Sequence, residues 1–290
     1  MEKQLTTEQE VCSELQSTSA IEKEGSALAR ADRSGGSGVC LAGIPFADVT
    51  EDDLVSRVMS ALDSGRGGWI VTPNLDILRQ LVRDEGSRRI VEDASLMIAD
   101  GMPLVWASRL RGTPVPERVA GSVLISSLCR AAAEDGRSVF LLGGDEGTAE
   151  LAAKRLQARC PGLGVTGTYC PPVGFEKDQA EMERVTRAVC EVQPDIVFVG
   201  LGFPKQERLI RKLRPYLPQA WYMGVGISFS YLSGRVKHAP VWMRRVGLEW
   251  AFRLAQEPRR LFKRYIVRGV PFAMWLFAHV LWQRYRRGRE

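Results

Sequence analysis

The residues best suited to chemistry stand directly after short apolar runs. Thr72 and Asn74, in Thr72-Pro73-Asn74, follow an apolar run and offer short hydrogen-bonding side chains, although Asn74 equally suits the cap of a helix opening at Leu75. Asp100 follows Leu96–Ala99 and precedes Gly101 and Pro103. A carboxylate there can cap the next helix or take up a proton as a general base, and partial burial tunes it toward neutral pH. Arg118, in the loop before a helix opening at Ser122, presents a planar guanidinium that matches a diphosphate, or pairs with Glu117 or another acid.

Glycine turns mark two further run ends. Gly143-Gly144-Asp145-Glu146-Gly147-Thr148 sits where free backbone amides and a helix dipole would favour phosphate, but Asp145 and Glu146 add negative charge at that point. Gly224 and Gly226 lead to Phe229, where a dinucleotide fingerprint needs a third glycine, which argues against a nicotinamide-dependent dehydrogenase. Gln206, in Gly-Phe-Pro-Lys-Gln-Glu, either points into a cleft to read a base or sugar hydroxyl or stays solvated while Glu207 caps a helix.

The segments that position these residues read as an α/β fold. The runs Trp69–Thr72, Leu96–Ala99, Val139–Gly143, Val165–Tyr169, Ile196–Gly202 and Trp221–Gly226 alternate with amphipathic stretches, the pattern of a mostly parallel sheet flanked by helices. The intervening helices are expected over Leu75–Arg83, Pro103–Leu110, Ser122–Glu134, Glu146–Arg159, Asp178–Val192 and Pro204–Leu213. In such sheets ligands bind beyond the carboxyl ends of the strands, so the polar run ends should share one cleft. Residues 1–40 have no aromatic side chain and are rich in Ser, Glu, Thr and Gly, which predicts a disordered leader before an α/β domain over 41–234.

Charge sets the last segment apart. The net charge is +6, yet from Arg235 onward 14 Lys and Arg face 3 Asp and Glu, leaving residues 1–234 acidic overall. Residues 235–290 therefore form a basic appendage, expected to be helical, with a first helix over Val241–Leu254. Its aromatics are interleaved with cations, and Arg259, Arg260, Lys263, Arg264, Trp275 and Trp282 suit an interfacial helix pair on an anionic membrane. The apolar run Pro271–Trp282 is about half the ~20 residues that span a bilayer, so it is expected to lie in the interface. Single-stranded nucleic acid would use the same residue types, but it would leave Phe272–Trp282 exposed to water.

Six scattered cysteines without a CxxC pair and only two histidines, His238 and His279, fit a reduced compartment and give no zinc signature. The polar, acidic first residues lack the apolar core of a signal peptide, so the protein is expected inside the cell.

In order along the chain, Thr72–Asp76, Ala99–Pro103, Glu117–Gly121, Phe140–Gly144, Gly200–Glu207 and Gly224–Pro240, continued by Trp242–Leu261, resemble the WecG/TagA/CpsF family of bacterial glycosyltransferases, glycosyltransferase family 26. The resemblance runs from about Gly43 to Leu261. It implies a Rossmann-like domain whose basic C-terminal appendage docks on the inner face of the cytoplasmic membrane and helps close the active site. It further implies inverting transfer of a hexose, N-acetylhexosamine or uronic acid from a UDP-sugar to a polyprenyl-diphosphate-linked saccharide, without metal or other cofactor. Carried over residue by residue, Asp100 becomes the general base, Thr72 and Asn74 contact a sugar, Arg118 steadies the diphosphate, and Gln206 helps hold nucleotide or sugar. Arg235, with Arg244 and Arg245, would add positive charge on closure, beside backbone amides at Gly143, Gly144, Gly224 and Gly226.

The chain departs from the family at Val123 and Ser230, where acids are usual. The rival reading is therefore a non-catalytic, membrane-associated assembly factor that keeps the fold. The oligomeric state is open, and a homo-oligomer is compatible with the sequence.

Overall fold

The computed structural model describes residues 39–287, all within one compact unit, Ser37–Glu290. The leader expectation falls outside the described residues, apart from Val39 and Cys40. These open strand β1 (Val39–Leu41), which forms an antiparallel hairpin with β2 (Ile44–Phe46).

Helix α1 (Glu51–Asp63) follows, held at its start by a capping box in which Thr50 and Asp53 satisfy each other's backbone amides. The six expected strands are all present: β3 (Gly68–Val71), β4 (Leu96–Met97), β5 (Ser138–Gly143), β6 (Gly164–Tyr169), β7 (Ile196–Gly200) and β8 (Trp221–Gly224). They form one parallel sheet in the order β4-β3-β8-β7-β5-β6. Every residue of β3, β7 and β8 is buried, as expected of strands covered on both faces.

Side-chain alternation divides the core in two. Trp69, Val71, Phe140, Leu142, Val197, Val199 and Tyr222 point to one face, and Ile70, Val139, Leu141, Ile196, Phe198 and Met223 to the other. The first face is covered by α2 (Leu75–Arg83), α4 (Met102–Arg111), α7 (Gln179–Cys190) and α8 (Lys205–Leu213). The second is covered by α1, α5 (Gly121–Glu134), α6 (Thr148–Arg159) and α9 (Ser228–Leu232). A short helix α3 (Glu85–Ile90) precedes β4. Neighbouring strands β3 and β8 thus hand over to helices on opposite faces, and a crevice opens between their carboxyl ends.

The last third differs from expectation in two ways. The helix expected over Val241–Leu254 is two helices, α10 (Val241–Arg245) and α11 (Glu249–Gln256), separated by a turn at Gly247. Gly247 has φ +76°, and a Cβ there would lie 2.8 Å from Met102 Cβ, so the absence of a side chain lets the turn seat on α4.

Second, the apolar run Pro271–Trp282 is not a separate short segment but part of a longer helical stretch. From α12 (Pro258–Phe262) through a π-helical segment, Lys263–Gly269, into α13 (Val270–Arg287) the backbone stays helical. The wider π turn ends just before the ring of Pro271, which falls in the first turn of α13, so no regular helical interior has to accommodate it. The run Pro258–Arg286 is long and apolar enough, by length and composition, to cross a membrane. Its face carrying Phe272, Leu276 and Val280 is nevertheless buried in the first core, and α13 packs on α4. Each of these side chains contributes about 2 kcal/mol of burial. The other side exposes Met274, Trp275, Leu281, Trp282 and Tyr285.

Candidate active site

A cavity of about 880 Å³ lies at the crevice beyond the strand ends, lined by residues from β3, β7 and β8 loops and from the C-terminal helices. Thr72, Asn74, Asp100, Arg118, Gly144, Gln206, Gly224 and Gly226 all line it. Gly143 and Arg235 are not among the lining residues. Arg235 instead donates to the Glu146 carbonyl at 2.6 Å, in the turn before α6.

Thr72 is buried beside β8, its hydroxyl 3.4 Å from the Gly224 carbonyl. Asn74 caps α2: its Oδ1 accepts from the Asp76 and Ile77 amides, each at 3.1 Å. Asp100 does not cap α4, whose N-cap is Gly101 without a side-chain bond. It instead receives the amide of Gly121, the first residue of α5, so the positive end of that helix is aimed at the carboxylate.

The electrostatics of Asp100 favour a proton acceptor. Burial raises its pKa to about 6, opposed chiefly by Arg118 and reinforced by Glu249, with smaller lowering from the Gly121 amide and Arg253. A carboxyl group with that pKa is ionised at neutral pH yet more basic than an exposed aspartate.

Gln206 is buried at 3% exposure rather than solvated, and it ties two strand ends together. Its Oε1 accepts from the Gly202 amide at 2.9 Å and the Gly226 amide at 3.0 Å, while its Nε2 donates to Glu207 Oε1 at 2.8 Å. Burial lifts the Glu207 pKa to about 7. A Cβ on Gly224 would stand 2.2 Å from Gln206 Nε2, so only glycine lets β8 pass this close.

The opposite wall comes from the C-terminal helices and contains residues that the sequence did not single out. Glu249 Oε2 meets Arg118 Nη1 at 3.2 Å, whereas Glu117 accepts from the Glu51 amide at the start of α1. Arg253 lies over the Tyr231 ring, 5.9 Å from its centroid, and burial raises the Tyr231 pKa to about 12. Arg260 and Arg264, expected among the membrane contacts, line the cavity, as do Tyr265 and Arg268. Arg264 pairs with Asp76 at 2.9 Å. The spacing that could have revealed Glu249 is its position two residues after Gly247, where the helix breaks and aims it inward.

Arg259, Lys263, Trp275 and Trp282 are exposed and outside the cavity. Trp275, His279 and Trp282 stack along α13, and Arg286 lies 4.8 Å from the Trp282 ring centroid. Of the two departures noted above, Ser230 lines the cavity and Val123 does not. Among the described residues no group of three His, Cys, Asp or Glu side chains is arranged to hold a metal ion.

The parallel α/β sheet gathers arginines and a carboxylate in one cleft at its switch point, and comparison with known sequences gives the class. Residues 39–289 match the glycosyl transferase WecG/TagA/CpsF family, and the chain belongs to it. It is 34% identical over 218 residues to the N-acetylglucosaminyldiphosphoundecaprenol N-acetyl-beta-D-mannosaminyltransferase of Bacillus spizizenii strain W23, covering 75% of this chain and 82% of that protein. Proteins of the same description from Bacillus subtilis strain 168 and Staphylococcus aureus strain MW2 are 31% and 28% identical. These alignments cover 69% and 85% of this chain, and 75% and 94% of the respective relatives.

Proposed function

We propose that this glycosyltransferase transfers a hexose, N-acetylhexosamine or uronic acid, with inversion, from a UDP-sugar to a saccharide carried on a polyprenyl diphosphate. The observation that carries the reading is Asp100, a carboxylate of raised proton affinity in the same cavity as Arg118, Arg253, Arg260, Arg264 and Arg268. Asp100 accepts the proton of the acceptor hydroxyl as its oxygen attacks the anomeric carbon, and the bond to UDP breaks on the opposite side. The arginines meet the charge that builds on the departing diphosphate, which is where fixed positive groups lower a barrier most. Gln206 acts through the Gly202 and Gly226 amides that it orients, and Thr72 and Asn74 are left to contact sugar.

The acceptor class is supported by the relatives' names and by the cavity wall. Met102, Trp106, Val270, Ala273 and Phe277 bring apolar surface from α4 and α13 beside the arginines, as an amphiphile requires. The exposed aromatic side of α13, with Arg259 and Lys263, would rest on the anionic inner face of the cytoplasmic membrane while the opposite side stays packed on α4. Residues 235–290 thus serve as appendage and lid.

The test is a donor screen. Purified protein is mixed with individual UDP-sugars and a short-chain polyprenyl-diphosphate N-acetylglucosamine, and UDP release and product anomeric configuration are read. One donor giving acceptor-dependent release and an inverted linkage is expected. Acceptor-dependent transfer with retained configuration would refute the single-displacement chemistry.

A further inference from the structure

Resting on that reading of Asp100, the contact between the C-terminal helices and the sheet assigns a role to Glu249. The side chain stands at the first position of α11, carried there by the turn in which Gly247 seats against Met102 and Trp106. Met102 lies two residues beyond Asp100, so the same turn that docks the appendage delivers an acid to the base's surroundings. Both partners of the Glu249–Arg118 pair are largely shielded, with side-chain exposures of 23% and 19%. Water therefore screens the pair less than an exposed one.

An arginine beside a general base is a hazard. Left unpaired, Arg118 would turn to the nearest carboxylate, and a direct Asp100–Arg118 pair would occupy the oxygen needed for the acceptor proton and weaken the base. Among the described residues Arg118 pairs with Glu249 and not with Asp100.

We infer that Glu249 is a positioning residue: it holds the Arg118 guanidinium so that the Asp100 carboxylate faces the acceptor hydroxyl instead of an arginine. The ionisable groups acting on Asp100 have the signs this role requires, Arg118 and Arg253 opposing protonation and Glu249 favouring it, while Tyr231 faces the same group from α9. The cavity's other charges are largely engaged elsewhere, Asp76 with Arg79 and Arg264, and Glu257 with Arg260; Asp145 and Arg268 complete the charged lining. Glu249 also makes the site sensitive to docking of the C-terminal helices, because only the docked segment supplies it.

The experiment follows the Asp100 carboxyl directly, by ¹³C NMR of protein labelled at aspartate Cγ, with Asp100→Asn identifying the signal. In Glu249→Gln the titration midpoint is expected to fall by about one pH unit, since the variant removes a negative neighbour and releases a positive one. The double variant Arg118→Gln/Glu249→Gln is expected to return the midpoint to the wild-type value or above it, and Glu249→Asp, which keeps the charge, to hold it near wild type. A midpoint that does not move in Glu249→Gln would overturn the inference. In the UDP-release assay, the acid limb should move with the NMR midpoint in Glu249→Gln. A midpoint that moves while the acid limb stays fixed would uphold the role of Glu249 in positioning and instead refute Asp100 as the base.

Discussion

Asp76, in the first turn of the helix after β3, holds Arg264 of the π-helical segment at 2.9 Å and Arg79 at 3.0 Å. One carboxylate thereby ties the C-terminal wall of the cavity to the sheet. The pair has 13% and 36% side-chain exposure, between the buried and surface extremes. Asp76→Ala is expected to cost about 1–2 kcal/mol of stability and to raise the KM for the UDP-sugar several-fold with a smaller change in kcat. Thermal unfolding and steady-state kinetics check this, and an unchanged KM would remove Asp76 from the lid.

The raised proton affinity of Asp100 has two signatures. Because the base must be ionised, kcat/KM should rise with pH through a midpoint of about 6. The sign for stability is opposite. The folded state binds this proton more tightly than the unfolded chain, so the group's contribution is most favourable below the unfolded value near 4 and is lost as pH rises through about 6. Asp100→Asn is accordingly expected to be more stable than wild type at pH 8, by ~2 kcal/mol, with the difference shrinking toward pH 4. Denaturant titrations at both pH values read it.

Gln206 holds two loop amides at once, and Gly224 makes room for it. Gln206→Leu leaves those amides without their acceptor and should destabilise the fold by ~2–3 kcal/mol while lowering kcat about tenfold or more. Gly224→Ala should be at least as damaging to stability, since its Cβ meets a side chain that is itself pinned. Circular dichroism melts and UDP release distinguish these from a mild surface effect.

Arg259 and Lys263 are exposed and lie outside the cavity. Replacing both with Ala should weaken binding to vesicles containing phosphatidylglycerol by roughly tenfold or more, at ~1 kcal/mol per cation. Binding to neutral vesicles and turnover of a water-soluble short-chain acceptor should change little. Vesicle sedimentation measures the first and UDP release the second.

Much of this architecture was legible because buried parallel strands write themselves as apolar runs, and all six such runs became strands. The polar residues at their ends converged for the same topological reason, which brought Thr72, Asn74, Asp100 and Gln206 to one cavity, and Arg118 joins them from the loop between α4 and α5. The hairpin of three-residue strands was too short to leave a periodic signal, and α1 was missed even though Thr50 and Asp53 form a capping box at its start. Glu249 was hidden because the four-residue spacing of Trp242, Val246, Trp250 and Leu254 reads as one helix, while the packing of Gly247 on Met102 breaks it. Gln206 looked like a ligand group or a solvated one, since nothing local signals that its acceptors' partners are amides from two separate loops. The helical continuity of residues 258–287 through Pro271 was not legible because the π segment before that proline has no sequence signature of its own.

The role proposed for Asp100 is removal of the acceptor proton. The most direct test is turnover by Asp100→Asn at pH 7.5, using the donor found in the screen and the short-chain acceptor, with UDP binding measured alongside. The expected result is a kcat lowered by about 10²–10⁴-fold with UDP affinity within a few-fold of wild type. A folded Asp100→Asn protein that turns over within a few-fold of the wild-type rate would contradict it.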